Sequence, residues 1–142
     1  MRLSTLRFAA LALASALTLA TASLASTNPR PPLSQVEEID GPMLSVALAI
    51  EISDQCASIA PRNLKGLLLL NKLNGRARDL GYSKEEIDAY VNSADEKERM
   101  RALGETYVKS KGLDPEKTAD LCTLGRTEIA RNSPIGALLK EK

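Results

Sequence analysis

Between Pro42 and Cys56 the chain reads Pro-Met-Leu-Ser-Val-Ala-Leu-Ala-Ile-Glu-Ile-Ser-Asp-Gln-Cys, apolar on almost every side of a helix and ending in one of only two cysteines. At roughly 100° per residue, Leu44, Leu48, Ile52 and Cys56 form one ridge, while Met43, Ala47 and Ile50 form a second. A helix with two apolar ridges has to be covered on two sides. The pattern therefore predicts a buried central helix with the rest of the chain wrapped around it.

What precedes this stretch is of another kind. Arg2 and Arg7 stand ahead of an uninterrupted run of apolar and small residues that ends near Ala25. That arrangement predicts a secretory signal peptide over residues 1–25, with cleavage after Ala25 or, alternatively, after Ala22. The run is shorter than the roughly 20 apolar residues a spanning helix needs, and Ser, Thr, Asn and Pro follow it. An integral membrane protein is not expected once the signal is removed. Cleavage after Ala25 leaves 142 less 25, or 117 residues, enough for one domain that buries about two-thirds of its unfolded surface.

Composition narrows the chemistry. The chain has no histidine, which removes the usual general base near neutral pH and the commonest metal ligand. Catalytic triads, histidine zinc sites and histidine-ligated haem are excluded, and no metal or cofactor is expected. The mature chain is close to neutral and its only aromatic side chains are Tyr82, Tyr90 and Tyr107. Neither a basic field nor a stacking platform for nucleic acid is present. Two cysteines 66 residues apart are unsuited to a Cys-x-x-Cys motif but are the ordinary makings of one disulfide in an exported protein, Cys56 with Cys122.

In chain order, residues 26–40 predict an extended leader, held straight at first by Pro29, Pro31 and Pro32. Leu33, Val36 and Ile39 are available to pin it to the body, although a mobile tail as far as Ser34 fits equally well. Asp40 is placed to cap the central helix, and the helical domain spans residues 41–142. A second helix runs from about Asn63 to Leu80 and stops at Gly81. It carries Leu64, Leu67, Leu68 and Asn71 on one face, Leu69, Leu70, Leu73, Ala77 and Leu80 on much of the opposite side, and Lys65, Lys72 and Arg76 on the remaining stripe. Ser83 with Glu86 is a capping box that opens a third helix; Ser93 with Glu96 repeats the signal for a fourth, which ends before Gly112. Asp114 and Pro115 open a fifth with Leu121, Cys122, Gly125 and Ile129 inward, and Ile135 to Leu139 predicts a short terminal helix. No stretch alternates with the period of two that a hairpin needs. The expected fold is all-α, one compact domain of five to six helices around the central one, closed by a single disulfide.

Candidate sites are few. Glu51, in the middle of the central helix, is either a buried carboxylate that marks a site or a residue that reaches solvent or pairs with Arg62 or Arg126. Lys65, Lys72 and Arg76 form a candidate basic face, suited to anionic lipid headgroups, glycan phosphates or an acidic partner, unless they are simply solvated. Glu51, Glu86 and Glu128 are the only carboxylates that a two-carboxylate hydrolase could draw on, and nothing in their spacing selects a pair.

Several separated stretches occur together in order: Glu38-Ile39-Asp40, Glu51-Ile52 followed by Cys56, Ile59 to Arg62, Arg76 to Tyr82, and Ile87 to Val91. They continue with Cys122, Leu124 to Arg126, Glu128 to Ala130 and Ile135 to Leu139. With these landmarks the chain resembles a family of small exported bacterial proteins classed as a domain of unknown function. The resemblance implies an exported helical domain with a paired-cysteine pattern and brings no activity, cofactor or catalytic residue. The sequence thus leads to the expectation of a periplasmic or secreted, non-enzymatic interaction or chaperone-like module, whose partner is an unknown protein or envelope component. An envelope hydrolase is the alternative.

Overall fold

The computed structural model describes residues 30–142; the expected signal peptide and the first residues of the leader lie outside the described residues. Five helices follow in order: α1 (Glu37–Gln55), α2 (Asn63–Asp79), α3 (Lys84–Asn92), α4 (Ala94–Ser110) and α5 (Thr118–Ala130). The all-α expectation holds, with one small addition. Strand β1 (Ile59–Pro61), between α1 and α2, pairs antiparallel with β2 (Leu139–Glu141), Ile59 opposite Glu141 and Pro61 opposite Leu139. The terminal helix expected over Ile135 to Leu139 is replaced by a single 3-10 turn at Gly136–Leu138 that delivers Leu139 into this pairing. Strands of three residues, far apart in sequence, are too short to show a period of two.

Helix α1 opens at Glu37, before the expected start. Three acids in its first turn, Glu37, Glu38 and Asp40, favour the positive end of the helix dipole. Ile39 is buried against Leu33 of the leader, so tertiary packing draws the helix back across the expected boundary at Gly41. Pro42 consequently lies inside the helix, and Asp40 is no cap but a helical residue facing α4. The leader is a pinned strap along Arg30–Val36. Tyr82 Oη donates to the Pro31 carbonyl at 2.6 Å, Arg30 stacks over the Tyr82 ring at 5.0 Å, and Leu33 is buried.

Two apolar clusters result. In the larger, Val46, Leu48, Ala49 and Ile52 of α1 meet Val108 of α4, Leu121 and Leu124 of α5, Ile59 and Leu139. The smaller gathers Leu33, Ile39, Leu73, Ala77, Tyr82 and Ile87. Burying a side chain such as Ile52 completely contributes about 1.5–3 kcal/mol, and among the described residues five aliphatic side chains reach that state, Ile52, Ile59, Val108, Leu124 and Leu139. Helix α5 lies directly on α1 because residue 125 is glycine: a Cβ there would stand 2.6 Å from both Ile52 Cγ2 and Ile59 Cδ1. Cys56, at the end of α1, lies at disulfide distance from Cys122 of α5, with 5.5 Å between their Cα atoms. The second ridge expected to be covered on α1 stays open, since Ile50 is 53% exposed and Met43 and Ala47 are half-buried.

Local signals behave as their chemistry dictates. Ser83 Oγ accepts from the Glu86 N–H at 3.1 Å and the Glu86 carboxylate accepts from the Ser83 N–H at 2.6 Å, the reciprocal box that starts α3. At Ser93 only half of that box forms: its hydroxyl accepts from the Glu96 N–H at 3.3 Å, while the Glu96 carboxylate turns to Arg99. Gly81 (φ +90°) and Gly112 (φ +73°) stop α2 and α4 in the left-handed conformation. Helix α5 begins at Thr118, later than Pro115, because the Asp114 side chain closes a turn on the Glu116 N–H instead of capping a helix.

Candidate functional site

The carboxylates separate at once. Glu51 is exposed on α1 and forms no ion pair among the described residues. Arg62 instead donates its Nε to the Leu139 carbonyl at 2.8 Å and its backbone N–H to the Leu138 carbonyl at 2.7 Å, which fastens β2 to the start of α2. Arg126 is exposed and reaches only the Thr123 hydroxyl, at 3.4 Å. The structure therefore does not assemble the expected buried pair of Glu51 with Arg62 or Arg126. The face of α1 turned toward α5 carries Ile52, and Glu51 is one residue too early to share it.

Among the described residues the fully buried carboxylate is Glu128 on α5. Its Oε1 accepts from Tyr107 Oη at 2.8 Å and lies 3.8 Å from Arg131, while Oε2 has no partner. Burial, and after it the bond to Glu128, pushes the Tyr107 phenol up to about 12. The signal that could have found Glu128 is its place seven residues after Leu121 and four after Leu124, on the inward stripe of α5. Glu51 borders the groove between α1 and α4, Glu86 borders the cleft under the leader, and Glu128 borders neither. No cavity described here holds two of these three carboxylates, so the geometry selects no acid and base pair.

A second polar cluster escaped sequence reasoning because Asp40 reads as a cap. Its carboxylate bridges three helices. It accepts from Tyr90 Oη of α3 at 2.7 Å and from Arg99 of α4 through both guanidinium Nη atoms, one at 3.1 Å, while Arg99 Nε donates to Glu96 at 2.7 Å. The hydrogen bond to Asp40 raises the Arg99 pKa, and burial followed by the Asp40 contact raises that of Tyr90. Each group finds a hydrogen-bond partner among the others, as befits a clamp between helices. Among the described residues, no cluster of three or more Asp, Glu, His and Cys side chains is placed to hold a metal ion.

Two apolar surfaces remain open. A groove of about 350 Å³ runs between α1 and α4, with Met43, Val46, Ala47, Ile50, Met100 and Val108 along it and charges of both signs at its rim. The other surface is α2. Leu73 and Ala77 anchor this helix to the smaller cluster, whereas Leu64, Leu67 and Leu68 are 70%, 56% and 59% exposed. At 100° per residue those three leucines lie roughly 180° around the helix from Leu73 and Ala77, pointing straight away from the body. The expected basic face divides beside them: Arg76 is held by Glu38 at 2.7 and 3.1 Å, but Lys65 and Lys72 are exposed and in no ion pair among the described residues. Between Asn63 and Arg78, α2 carries no acid.

A family model for DUF5333, a family of unknown function, matches residues 31–140. The chain belongs to DUF5333. No curated protein and no solved structure matches it. The DUF5333 match spans all five helices, the two cysteines, Asp40 and Arg99, Glu128 and Tyr107, and the leucines of α2. DUF5333 carries no assigned activity, so the reading of function rests on the surfaces just described. Among the described residues of this DUF5333 chain, no helix is long and apolar enough to cross a membrane.

Proposed function

We propose that this protein is a non-enzymatic interaction or chaperone-like module of the cell envelope, exported by its N-terminal signal, which engages its partner through the outward face of α2. The observation that carries the reading is the exposure of Leu64, Leu67 and Leu68 on the side of the helix opposite the core. Folding gains nothing from leucines that remain in water, and contiguous exposed apolar groups are the usual mark of a contact surface. The rigid frame beneath supports the same reading. The cystine and the Asp40 clamp fix the helices while leaving this face bare.

Photocrosslinking in living cells tests it, with a photoreactive residue in place of Leu67 and a control at the exposed Asn92 of α3. The expected outcome is an adduct, to protein or to lipid, from position 67 that is absent from position 92 and disappears when Leu64→Ser and Leu68→Ser are added. No adduct from position 67 in any cell fraction would overturn the proposal.

A further inference from the structure

The charge beside the leucines specifies what they meet. We infer that α2 docks on the surface of an anionic phospholipid bilayer, with Leu64, Leu67 and Leu68 entering the acyl boundary and Lys65 and Lys72 at headgroup level. This inference rests on the reading of α2 as the contact face. A helix that lies in a membrane interface needs an apolar stripe with cations on its polar face, and α2 has both, with no acid of its own from Asn63 to Arg78. Lys65 and Lys72 lie on the flank of the stripe, roughly 40–60° beyond Leu68, where long stems reach outward to phosphate while the leucines point down. Neither is in an ion pair among the described residues, which leaves both charges for headgroups. Since α2 is already folded and anchored through Leu73 and Ala77, docking requires no coil-to-helix ordering.

A second copy of the chain fits this face poorly. A stable dimer contact takes about 20–30 residues a side. The outward face of α2 offers three leucines, and a copy laid against it would bring four unpaired lysines together with no acid on the helix until Asp79. A bilayer has neither problem. It has no fixed outline to match, and its phosphates supply the missing negative charge. Each lysine near an anionic surface strengthens partitioning roughly five-fold. Each leucine moved out of water adds roughly five- to ten-fold.

The experiment uses the protein purified from cells expressing the full chain, with its N-terminus read from intact mass, so that wild type and variants share the same ends. The chain has no tryptophan, so Leu67→Trp makes a single fluorescent reporter at the centre of the face. Vesicles of phosphatidylcholine alone are compared with vesicles containing phosphatidylglycerol, at low and high salt. We expect a blue shift of the reporter and flotation with the anionic vesicles only, weakened by salt as screening predicts. Lys65→Glu with Lys72→Glu should reduce binding at least ten-fold. Leu64→Ser with Leu67→Ser and Leu68→Ser should abolish it, with unchanged circular dichroism because all three side chains are exposed. A reporter that does not shift, or charge-reversed protein that binds as well as wild type, would overturn the inference. If vesicles are ignored while position 67 still crosslinks to a protein in cells, the bilayer assignment falls and the contact-face reading stands. If neither occurs, both fall.

Discussion

Replacing Gly125 with alanine sets two effects of opposite sign against each other. Glycine inside a helix is less favourable than alanine by about 0.8–1.0 kcal/mol, so helix propensity alone makes Gly125→Ala stabilising. Packing opposes it. The new methyl would stand 2.6 Å from Ile52 Cγ2 and 2.6 Å from Ile59 Cδ1, and both isoleucines are fully buried. Ile52 is β-branched and mid-helix, with little rotamer freedom to retreat. Overpacking of this kind costs about 1–3 kcal/mol, and two simultaneous contacts put it at the upper end. The net expectation is a loss of about 1–2 kcal/mol, or a fall in Tm of about 5–15 °C for a domain of this size. Urea and thermal denaturation of the oxidised protein give the value directly. Gly75→Ala on α2, where nothing lies within 4 Å, is the internal control and should gain stability instead. Gly125→Ala with Ile59→Val, which removes the Cδ1 contact, should recover part of the loss. If Gly125→Ala is stabilised like Gly75→Ala, helices α1 and α5 do not pack at this distance and the argument fails.

Other expectations follow from contacts already described. Cys56→Ser with Cys122→Ser opens a loop of 66 residues and should cost about 4 kcal/mol on the chain-entropy model, read as the difference between reduced and oxidised denaturation curves. Tyr107→Phe strips the buried Glu128 of its hydrogen bond and should cost about 1–3 kcal/mol at neutral pH, most of it recovered when Glu128→Leu is added. The Tyr107 phenol is raised in the folded state, so its contribution is complete below about pH 10 and is lost as pH rises toward about 12. Tyrosinate absorbance during alkaline titration should show one fewer late-ionising phenol in Tyr107→Phe than in wild type, the raised Tyr90 accounting for what remains. The Ser83 N–H, before any other contact, holds the Glu86 carboxyl below its usual range. A lowered folded value gives stability present above the unfolded pKa, about 4.3, and lost as pH falls through the folded one. Glu86→Gln should flatten that acid limb of a Tm profile.

What could be read from the residues was local or forced by number. The capping box at Ser83 and Glu86 and the glycine stops at Gly81 and Gly112 are settled within a few residues, and they appear where expected. The cysteine pairing had a single option within the chain. What could not be read depends on which face of a helix meets a neighbour. Glu51 and Glu128 both lie in helices with apolar stripes, and only the packing of α5 on α1 decides that Glu128 is enclosed and Glu51 wet. The same holds for α2. Its two leucine faces are equally apolar as text, and the side with Leu73 and Ala77 becomes the core because the leader strap and α3 lie there. Asp40 misled for a related reason: a carboxylate ahead of Gly41 and Pro42 fits a cap, and its three-helix bridge needs partners about fifty and sixty residues away.

Helix α1 alone among the described helices contributes buried residues to both apolar clusters, Ile39 to the smaller and Val46, Leu48, Ala49 and Ile52 to the larger. A helix of this length has little stability of its own in water, so melting either cluster removes the support the other depends on. Two cores threaded on one axle unfold as a single cooperative unit, with one calorimetric peak. The cystine at the far end of α1 thereby opposes melting of the cluster that holds the leader strap, although Cys56 belongs to the other cluster.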